Sequence, residues 1–200
     1  MENKKFLRCF IVTAISAALY SGAAMATTSD TVAGGTITFS GSVSDTTCNV
    51  TTNGGNDFTV NLSPISVSDV GTSAGVVTSG ATPFTMAVSG CEGYSATNKT
   101  AQALTVTFSG SEVSDDEAYL KNSIGSASGI GISITKDGTT PIKLNSAIET
   151  GLTTTSSDGT NFDTGAEGNI TYYANYYNYG GSSVSTGSVV TTVTYTFSYA

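Results

Sequence analysis

The sequence lacks histidine and tryptophan altogether and contains little proline, cysteine or charge. There are three prolines and three cysteines in 200 residues, and charged residues make up 11% of the chain, against about 25% in an average soluble protein. Without histidine, the chain has neither the commonest general base nor the commonest metal ligand. Seven Lys and Arg against fifteen Asp and Glu leave no basic face for nucleic acid. The abundance of Ser, Thr, Gly, Val and Tyr, with few Lys, Glu and Leu, argues for many short strands rather than helices.

Residues 1–26 have the pattern of a secretory signal peptide. Three basic residues precede a short apolar run that ends at Tyr20, and Ala24-Met25-Ala26 has the A-x-A form of a cleavage site. The basic residues are Lys4, Lys5 and Arg8. Because the apolar run is shorter than the ~20 residues that span a bilayer, we interpret the segment as a leader and not as a transmembrane anchor. The predicted mature chain begins at Thr27.

Cleavage of this leader changes the charge and the cysteine count. It removes three of the seven basic and one of the fifteen acidic residues, which leaves four against fourteen and a net charge near −10. It also removes Cys9, so that Cys48 and Cys91 remain as an even pair. An exported chain with one cysteine pair is best interpreted as having one disulfide, the alternative being two buried thiols. The absence of a C-x-x-C motif argues against a redox role.

Alternation of apolar and polar residues with a period of two dominates the rest of the chain. It predicts strands at residues 36–39, 58–62, 84–88, 104–108, 130–134, 170–177 and 188–199. Turn-rich segments are predicted at 52–57, 68–79, 109–128 and 153–167. An Asp-Gly pair in Lys136–Thr139 predicts a hairpin, and Asp115–Leu120 favours one helical turn. With no long amphipathic helix between strands, the pattern predicts an all-β, immunoglobulin-like sandwich.

The C-terminal run from Gly187 to Tyr199 is amphipathic when it is counted by twos. One alternate set is mostly apolar, and the set that starts at Ser188 is nearly all polar. The apolar members are Val189, Val193, Tyr195, Phe197 and Tyr199. No charge and no proline occurs from Gly168 to Ala200, although monomers normally blunt a long apolar edge strand with charge, proline or a bulge. The run therefore predicts pairing with a further strand.

The N-terminal run ahead of Cys48 has a complementary pattern. Residues 27–47 carry only two charges, Asp30 and Asp45. One alternate set consists of glycines and apolar residues, namely Gly35, Ile37, Phe39, Gly41 and Val43. Glycine inside a strand often marks close backbone approach, so this strand suits tight packing in a groove. It is equally compatible with the ordinary first strand of a sandwich.

The order of these segments resembles that of type 1-like pilin subunits assembled by the chaperone–usher pathway. Gly34–Val43 runs into Cys48, and the second cysteine closes the strand Phe84–Cys91. A hairpin follows from Gly129 to Leu144, and then a tyrosine-rich run and the terminal strand. In that family a glycine fourteen residues from the end and a penultimate tyrosine mark the strand that the chaperone recognises. Gly187 and Tyr199 match these two positions.

The resemblance implies an incomplete immunoglobulin-like sandwich, the pilin fold, which a donated strand completes. It implies a signal peptide over residues 1–26, a donor-strand extension over 27–44 and a pilin domain over 45–200. The donor role falls on Gly35, Ile37, Phe39, Gly41 and Val43. The role of groove edge and chaperone contact falls on Gly187, Val189, Val193, Tyr195, Phe197 and Tyr199.

The resemblance also implies a structural, non-enzymatic role in a bacterial surface fimbria that supports cell adhesion. Neighbouring subunits form a head-to-tail homopolymer by β-augmentation, after export through the periplasm with a chaperone and an outer-membrane usher. A host receptor is a further candidate partner, while no cofactor, metal or nucleic acid is implied. The weakly charged Ser/Thr-rich composition favours a major shaft subunit over a minor one, and the donor extension argues against a tip adhesin.

Two other classes of function have weaker support. A monomeric carbohydrate-binding sandwich could use tyrosines as a sugar-stacking platform, although strand packing is the commoner use of such residues and tryptophan is absent. These tyrosines are Tyr172, Tyr173, Tyr176, Tyr177 and Tyr179. A secreted enzyme lacks support because the serines have no histidine partner and no G-x-S-x-G motif occurs. The acidic cluster Asp115-Asp116-Glu117 lacks the spacing of a calcium loop, and the four N-x-[ST] matches are expected by chance in so Ser/Thr-rich a chain.

Overall fold

The structure, a computed structural model, describes residues 46–52 and 55–200. This part of the chain contains seven strands, one four-residue helix and a short 3-10 turn. The strands are β1 (Asn49–Thr51), β2 (Gly75–Ser89), β3 (Ala103–Ser109), β4 (Ile130–Thr135), β5 (Ile148–Thr153), β6 (Gly168–Asn178) and β7 (Thr194–Tyr199). The helix α1 spans Val67–Val70, and the 3-10 turn spans Gly181–Ser183.

The strands form two sheets that pack face to face. One sheet has the order β1-β2-β6-β4 and the other has the order β5-β3-β7, and each pairing is antiparallel. Alternate side chains of both sheets point inward, and rings bridge the layers: Phe108 of β3 meets Tyr172 of β6 edge to face at 5.4 Å. Fully buried Met86 and Leu104 contribute to the same core. The predicted all-β sandwich is confirmed.

One disulfide joins the start of the described chain to the end of β2. The sulfur atoms of Cys48 and Cys91 lie 2.08 Å apart, across 43 residues of sequence. Next to this bond, β1 pairs with only the last residues of β2, and the amide of Glu92 donates to the carbonyl of Thr47. The predicted disulfide is confirmed. In the chain-entropy view, a loop of this length stabilises the fold by about 3–4 kcal/mol.

Several predicted strands correspond to observed ones. The predictions at residues 104–108, 130–134 and 170–177 are confirmed as β3, β4 and β6. The predicted strand at 84–88 is the second half of β2, whose first half lies in a segment that we predicted to be turns. The local pattern is obscured there because the register shifts between Val77 and Thr82, around Gly80 with its positive φ of 77°.

Four details of the sequence prediction are wrong. Residues 58–62 belong to no strand, and β7 begins at Thr194, so that residues 188–193 are not strand either. β5 lies in a segment for which we predicted no strand. Asp115–Leu120 forms a turn without a helix, in which the amide of Glu117 donates to the carbonyl of Ser114.

The predicted hairpin after β4 is present in a reduced form. The Oδ1 atom of Asp137 accepts the amide protons of Thr139 and Thr140, and these bonds lower the pKa of the Asp137 carboxyl well below its usual range. The returning chain then makes a single bridge from Pro141 to Thr135 instead of a full strand. A tight Asp-Gly turn is therefore correct, while its second strand is not.

Several predictions fall on residues outside the described part of the chain. They are the signal peptide at 1–26, the strand at 36–39, the extension at 27–44 and its five donor positions, Gly35, Ile37, Phe39, Gly41 and Val43. These stay predictions.

Candidate functional site

Strand β7 forms one edge of the three-stranded sheet. It pairs with β3 along its whole length, from Thr194 opposite Ser109 to Tyr199 opposite Leu104. On its other side it pairs with no strand of the described chain. Phe197 is buried, Tyr195 and Tyr199 are half-buried against the main core, and Ser198 between them is exposed. The apolar side chains of the predicted C-terminal set therefore face the core, as the period of two requires.

Residues 58–66 form a segment outside both sheets, which starts beside Tyr195 of β7 and reaches Tyr176 of β6 at Ser63. Phe58, Val60 and Leu62 are half-buried while Thr59 and Asn61 are exposed, so the burial alternates as it does in a strand. Within the described chain, this segment joins neither sheet through a backbone ladder. The alternation that predicted a strand here is thus correct about the side chains and wrong about the pairing.

Side chains, and not backbone bonds, connect this segment to β7. The ring of Phe58 lies 6.1 Å from that of Tyr195, and the Tyr195 hydroxyl donates to the carbonyl of Asn56 at 2.6 Å. Burial, and to a lesser degree the charge of Asp57, raises the pKa of Tyr195. Phe58 also packs on Phe84 of β2 at 5.8 Å. Phe58 therefore bridges β7 of one sheet and β2 of the other, and we call its ring, with half-buried Val60 and Leu62, the apolar strip.

The strip continues into a cleft of about 620 Å³ at one end of the sandwich. One bank of the cleft is formed by residues 64–68 and Val70, and the opposite bank is formed by residues 184–189. Its floor consists of Ala127, Ile130 and Tyr176, which belong with Val77 to a second, smaller hydrophobic cluster. The cleft is within the size range of protein binding pockets, and its lining is mostly apolar.

Sequence reasoning missed the bank formed by Pro64–Val70. Ser66 caps the helix α1: its hydroxyl accepts from the amide of Asp69, and the Asp69 carboxylate accepts from the amide of Ser66. Hydrogen bonds from the hydroxyl and amide of Ser66 lower the pKa of Asp69. The signal that could have revealed this bank is the S-x-x-D capping box followed by Val70 and Gly71.

Gly187 lies where the C-terminal segment crosses residues 124–128. Its φ is +151°, and a Cβ atom there would approach the backbone nitrogen of Ala127 to 2.5 Å and the Ser126 hydroxyl to 2.6 Å. Next to it, the amide of Ala127 donates to the carbonyl of Ser188 at 3.0 Å. Glycine is therefore needed at this position for packing within the subunit. The predicted chaperone contact of Gly187 remains a prediction.

Tyr199 anchors the end of β7 at the disulfide. Its hydroxyl accepts the amide proton of Ala166 at 2.8 Å and lies 3.5 Å from the carbonyl of Cys91. The Tyr94 ring meets it edge to face at 5.6 Å. Burial is the main reason that the pKa of Tyr199 is raised. The penultimate tyrosine thus fixes the C-terminus to the end of the sandwich that carries Cys48–Cys91, which we call the disulfide end.

The remaining residues of the C-terminal set line the same surface. Val189 packs with the small cluster under the cleft, and Val193 packs against the main core. The structure thus brings Gly187, Val189, Val193, Tyr195, Phe197 and Tyr199 onto one continuous path from the cleft to the disulfide end.

The predicted tyrosine platform divides between the core and the surface. Tyr172 is fully buried, and burial raises its pKa to about 12. Tyr176 forms part of the cleft floor and donates to the carbonyl of Ser63. Tyr177 and Tyr179 stack on either side of Tyr119, at 4.6 and 5.0 Å. Because Tyr177 and Tyr179 cover the faces of the Tyr119 ring, these three rings pack mainly on one another.

Residues with other chemistry are not gathered into a site within the described chain. There, no group of three or more Cys, Asp or Glu side chains is arranged to hold a metal ion. No helix in the same part of the chain has the length and apolar character to cross a membrane.

Comparison with known proteins agrees with this architecture. A family model described as "Fimbrial protein" matches residues 37–200. The chain belongs to the fimbrial protein family. It is 33% identical over 171 residues to the major fimbrial subunit SMF-1 of Stenotrophomonas maltophilia (strain K279a), a match that covers 84% of this chain and 93% of the relative.

A solved structure supports the fold of this fimbrial subunit independently. A chaperone–usher pilus, solved to explain how its rod uncoils, matches with a TM-score of 0.51 over 84% of this chain and 97% of that one, at 17% identity. The chain is therefore a type 1-like pilin, a structural and non-enzymatic subunit of a cell-surface fimbria, and it associates with other pilin subunits in a polymer.

Proposed function

We propose that this pilin polymerises by donor-strand exchange, in which residues 27–44 of one subunit lie beside β7 of the next. The observation that carries the proposal is the unpaired edge of β7 in the described chain, with Phe58 packed beside it. Phe58 packs on Tyr195 of β7, and half-buried Val60 and Leu62 continue the alternation along this segment, which a strand donated beside β7 would match.

The predicted donor residues suit this surface. Ile37, Phe39 and Val43 belong to one alternate set of the N-terminal sequence, in which Gly35 precedes Ile37 and Gly41 lies between Phe39 and Val43. Main-chain hydrogen bonds along β7 would fix the strand, while alternate side chains would fill the apolar strip. A contact of this type is head to tail and does not close on itself, so repetition produces a fibre.

The biological setting belongs to the same proposal. We propose that the chain is exported through the periplasm behind its signal peptide and is held there by a chaperone at Gly187–Tyr199 until an outer-membrane usher exchanges it. The relative from Stenotrophomonas maltophilia is named a major fimbrial subunit, which supports the shaft over a minor position. A host receptor remains a candidate partner, and we assign no residues to that contact.

Two charge substitutions test the proposal from its two sides. Phe39→Asp would place a carboxylate in the donated strand, and Tyr195→Asp would place one in the surface that receives it. Because an unpaired buried charge costs several kcal/mol, we expect either change to abolish fibres in electron micrographs while export continues. Thr153→Asp, on the exposed face of β5, is the matched control and should leave fibres intact. Fibres from both Asp variants would overturn donor-strand exchange at this surface.

A further inference from the structure

Exposed aliphatic side chains are concentrated around the cleft. In the described chain four large hydrophobic residues are exposed, and three of them lie here: Val67 (42%), Ile124 (60%) and Val190 (39%). Val67 lines one bank, and Val190 follows the last residue of the opposite bank. The amide of Ile124 donates to the carbonyl of Val190 at 3.3 Å. We call these three residues the rim. Single exposed hydrophobics are ordinary, whereas a group around one opening indicates an interaction surface.

The rim is held in place by a small hydrogen-bond network. The side-chain oxygen of Asn122 accepts the amide proton of Val190 at 2.8 Å. Its side-chain nitrogen donates to the carbonyls of Ser188 and Ala127 at 3.0 and 2.8 Å. These bonds fix the segment that carries Ile124 against the segment that carries Val190. The exposure of the two side chains is therefore built into the fold.

The positions of the cleft and the disulfide at opposite ends of the sandwich indicate what covers the rim. The cleft lies at the end of the sandwich where β6 finishes, next to Ile130 and Tyr176. The opposite end carries the disulfide, and there the described chain begins at Thr46. Each strand pairing in the described part is antiparallel. β7 runs toward the disulfide end, where Tyr199 is anchored. A donated strand that pairs antiparallel with β7 would therefore have its C-terminal end, near Val43, at the cleft.

The short connection after Val43 then limits where the donor subunit can lie. From Ser44 to Cys48 there are four residue steps, which span at most about 14 Å. The disulfide end of the donor subunit is consequently close to the cleft of the subunit that receives its strand. The surface there includes exposed Glu92 and Gly93 and the half-buried ring of Tyr94.

We infer that the rim is a second subunit contact, on which the disulfide end of the next copy of this chain docks. The inference rests on the proposed donor-strand exchange and adds to it a contact between the folded bodies. The inserted strand would fix which subunits are joined, and the rim would restrict how one body can swing on the other. The partner is thus a second copy of this chain.

Photo-cross-linking in assembled fibres tests the inference. A benzoylphenylalanine at Ile124 should cross-link to a neighbouring subunit, and mass spectrometry should identify the attachment within residues 46–48 or 92–95. The matched control is the same side chain at exposed Thr139, on the turn after β4, which should give no such product. A yield at Ile124 no higher than at Thr139, or attachment elsewhere, would overturn the rim contact. If the unsubstituted chain forms no fibres, donor-strand exchange itself fails and the rim contact with it.

Charge substitutions supply a second measurement. Ile124→Lys or Val190→Lys should accelerate fibre dissociation in detergent about tenfold, since burial of an aliphatic side chain contributes at least that factor to an equilibrium. Thr139→Lys should leave the rate unchanged. Binding of a synthetic peptide of residues 27–44 to the same variants should also be unchanged, because the peptide brings no folded body. Equal effects on peptide binding and on fibre dissociation would mean that the variants damage the site of the donated strand. An unchanged rate of fibre dissociation would mean that the rim makes no subunit contact. Either result rejects the inference.

Discussion

Strands β5 and β7 are the two outer strands of the same three-stranded sheet, and their edges are built differently. β5 carries Glu149 on its exposed side, bends at Gly151 with a φ of +83°, and pairs irregularly with β3. The Lys136 ammonium also donates to the Glu149 carbonyl at 2.6 Å. β7 makes six consecutive in-register pairs with β3 and has neither charge nor proline.

The difference separates an edge that ends a sheet from an edge that can be extended. Charges, a bulge and an irregular register are the means by which proteins prevent further pairing. β5 has a charge and an irregular register, and β7 has neither. Since both strands share one neighbour, the contrast does not come from their position in the sandwich. The contrast comes from the side chain of Glu149 and from Gly151, both in β5.

The largest effect that we expect concerns the contribution of each edge strand to stability. Phe197→Ala on β7 should lower the free energy of unfolding by about 3–5 kcal/mol, because it removes a buried ring. Ile148→Ala on β5 should lower it by roughly 1–2 kcal/mol, because that side chain is only half-buried. Urea unfolding of the two variants measures both values. Equal losses would show that the two strands are anchored equally.

A smaller effect concerns the bend in β5. Gly151→Val forces a β-branched residue into the left-handed region and should cost roughly 1–2 kcal/mol. Thr153→Val, two residues along the same strand, is the control and should be close to neutral. Thermal unfolding gives the comparison. A neutral Gly151→Val would mean that the bend is not a fixed feature of β5.

A third prediction concerns Tyr195 of β7, since β5 contains no tyrosine. Tyr195→Phe removes the hydrogen bond to Asn56 and should cost about 1 kcal/mol at pH 7. The pKa of Tyr195 is raised in the folded state, so its contribution is fully present below the ordinary tyrosine value near pH 10 and is lost as the pH rises above it. The unfolding midpoint of the unchanged chain should therefore fall more steeply above pH 10 than that of Tyr195→Phe. Parallel pH profiles would contradict this assignment.

The smallest effect on stability is expected at the charges that protect β5. Lys136→Met should change the free energy of unfolding by less than about 0.5 kcal/mol, because the bond is exposed. The double variant Lys136→Met, Glu149→Val should nevertheless self-associate in sedimentation experiments, since it makes β5 resemble β7. Lys121→Met, which disrupts an exposed ion pair to Asp115, is the control and should stay unchanged. An unassociated double variant would show that the bend alone protects this edge.

The comparison also shows why some strands could be predicted from the sequence and others could not. The sequences of β3 and of the first part of β6 alternate between apolar and polar residues, and the apolar members Leu104, Val106, Phe108, Ile170 and Tyr172 are buried in the core. β5 escapes detection because Glu149 and Gly151, which protect its edge, also interrupt its pattern. The first half of β2 is hidden in the same way by the bulge around Gly80.

For the candidate site, the sequence predicts which side chains turn inward but not which backbones pair. The phase of Val193, Tyr195 and Phe197 is correct, and so is the alternation at Phe58–Leu62. Pairing depends on a neighbouring strand that is distant in the sequence, and a period of two contains no information about that neighbour. The cleft was missed because its banks meet only after the chain has folded.

The disulfide has a mechanical consequence for a fibre that is pulled along its axis. Tension arriving through the chain ahead of Thr46 would first load β1, which is only three residues long and is held to β2 by three residue pairs. A strand this short would peel away one bond at a time. The Cys48–Cys91 bond carries the load past β1 directly to the end of β2, which is a fifteen-residue strand in the main core. The covalent link thus moves the first mechanically weak point from the three-residue β1 to the longer β2.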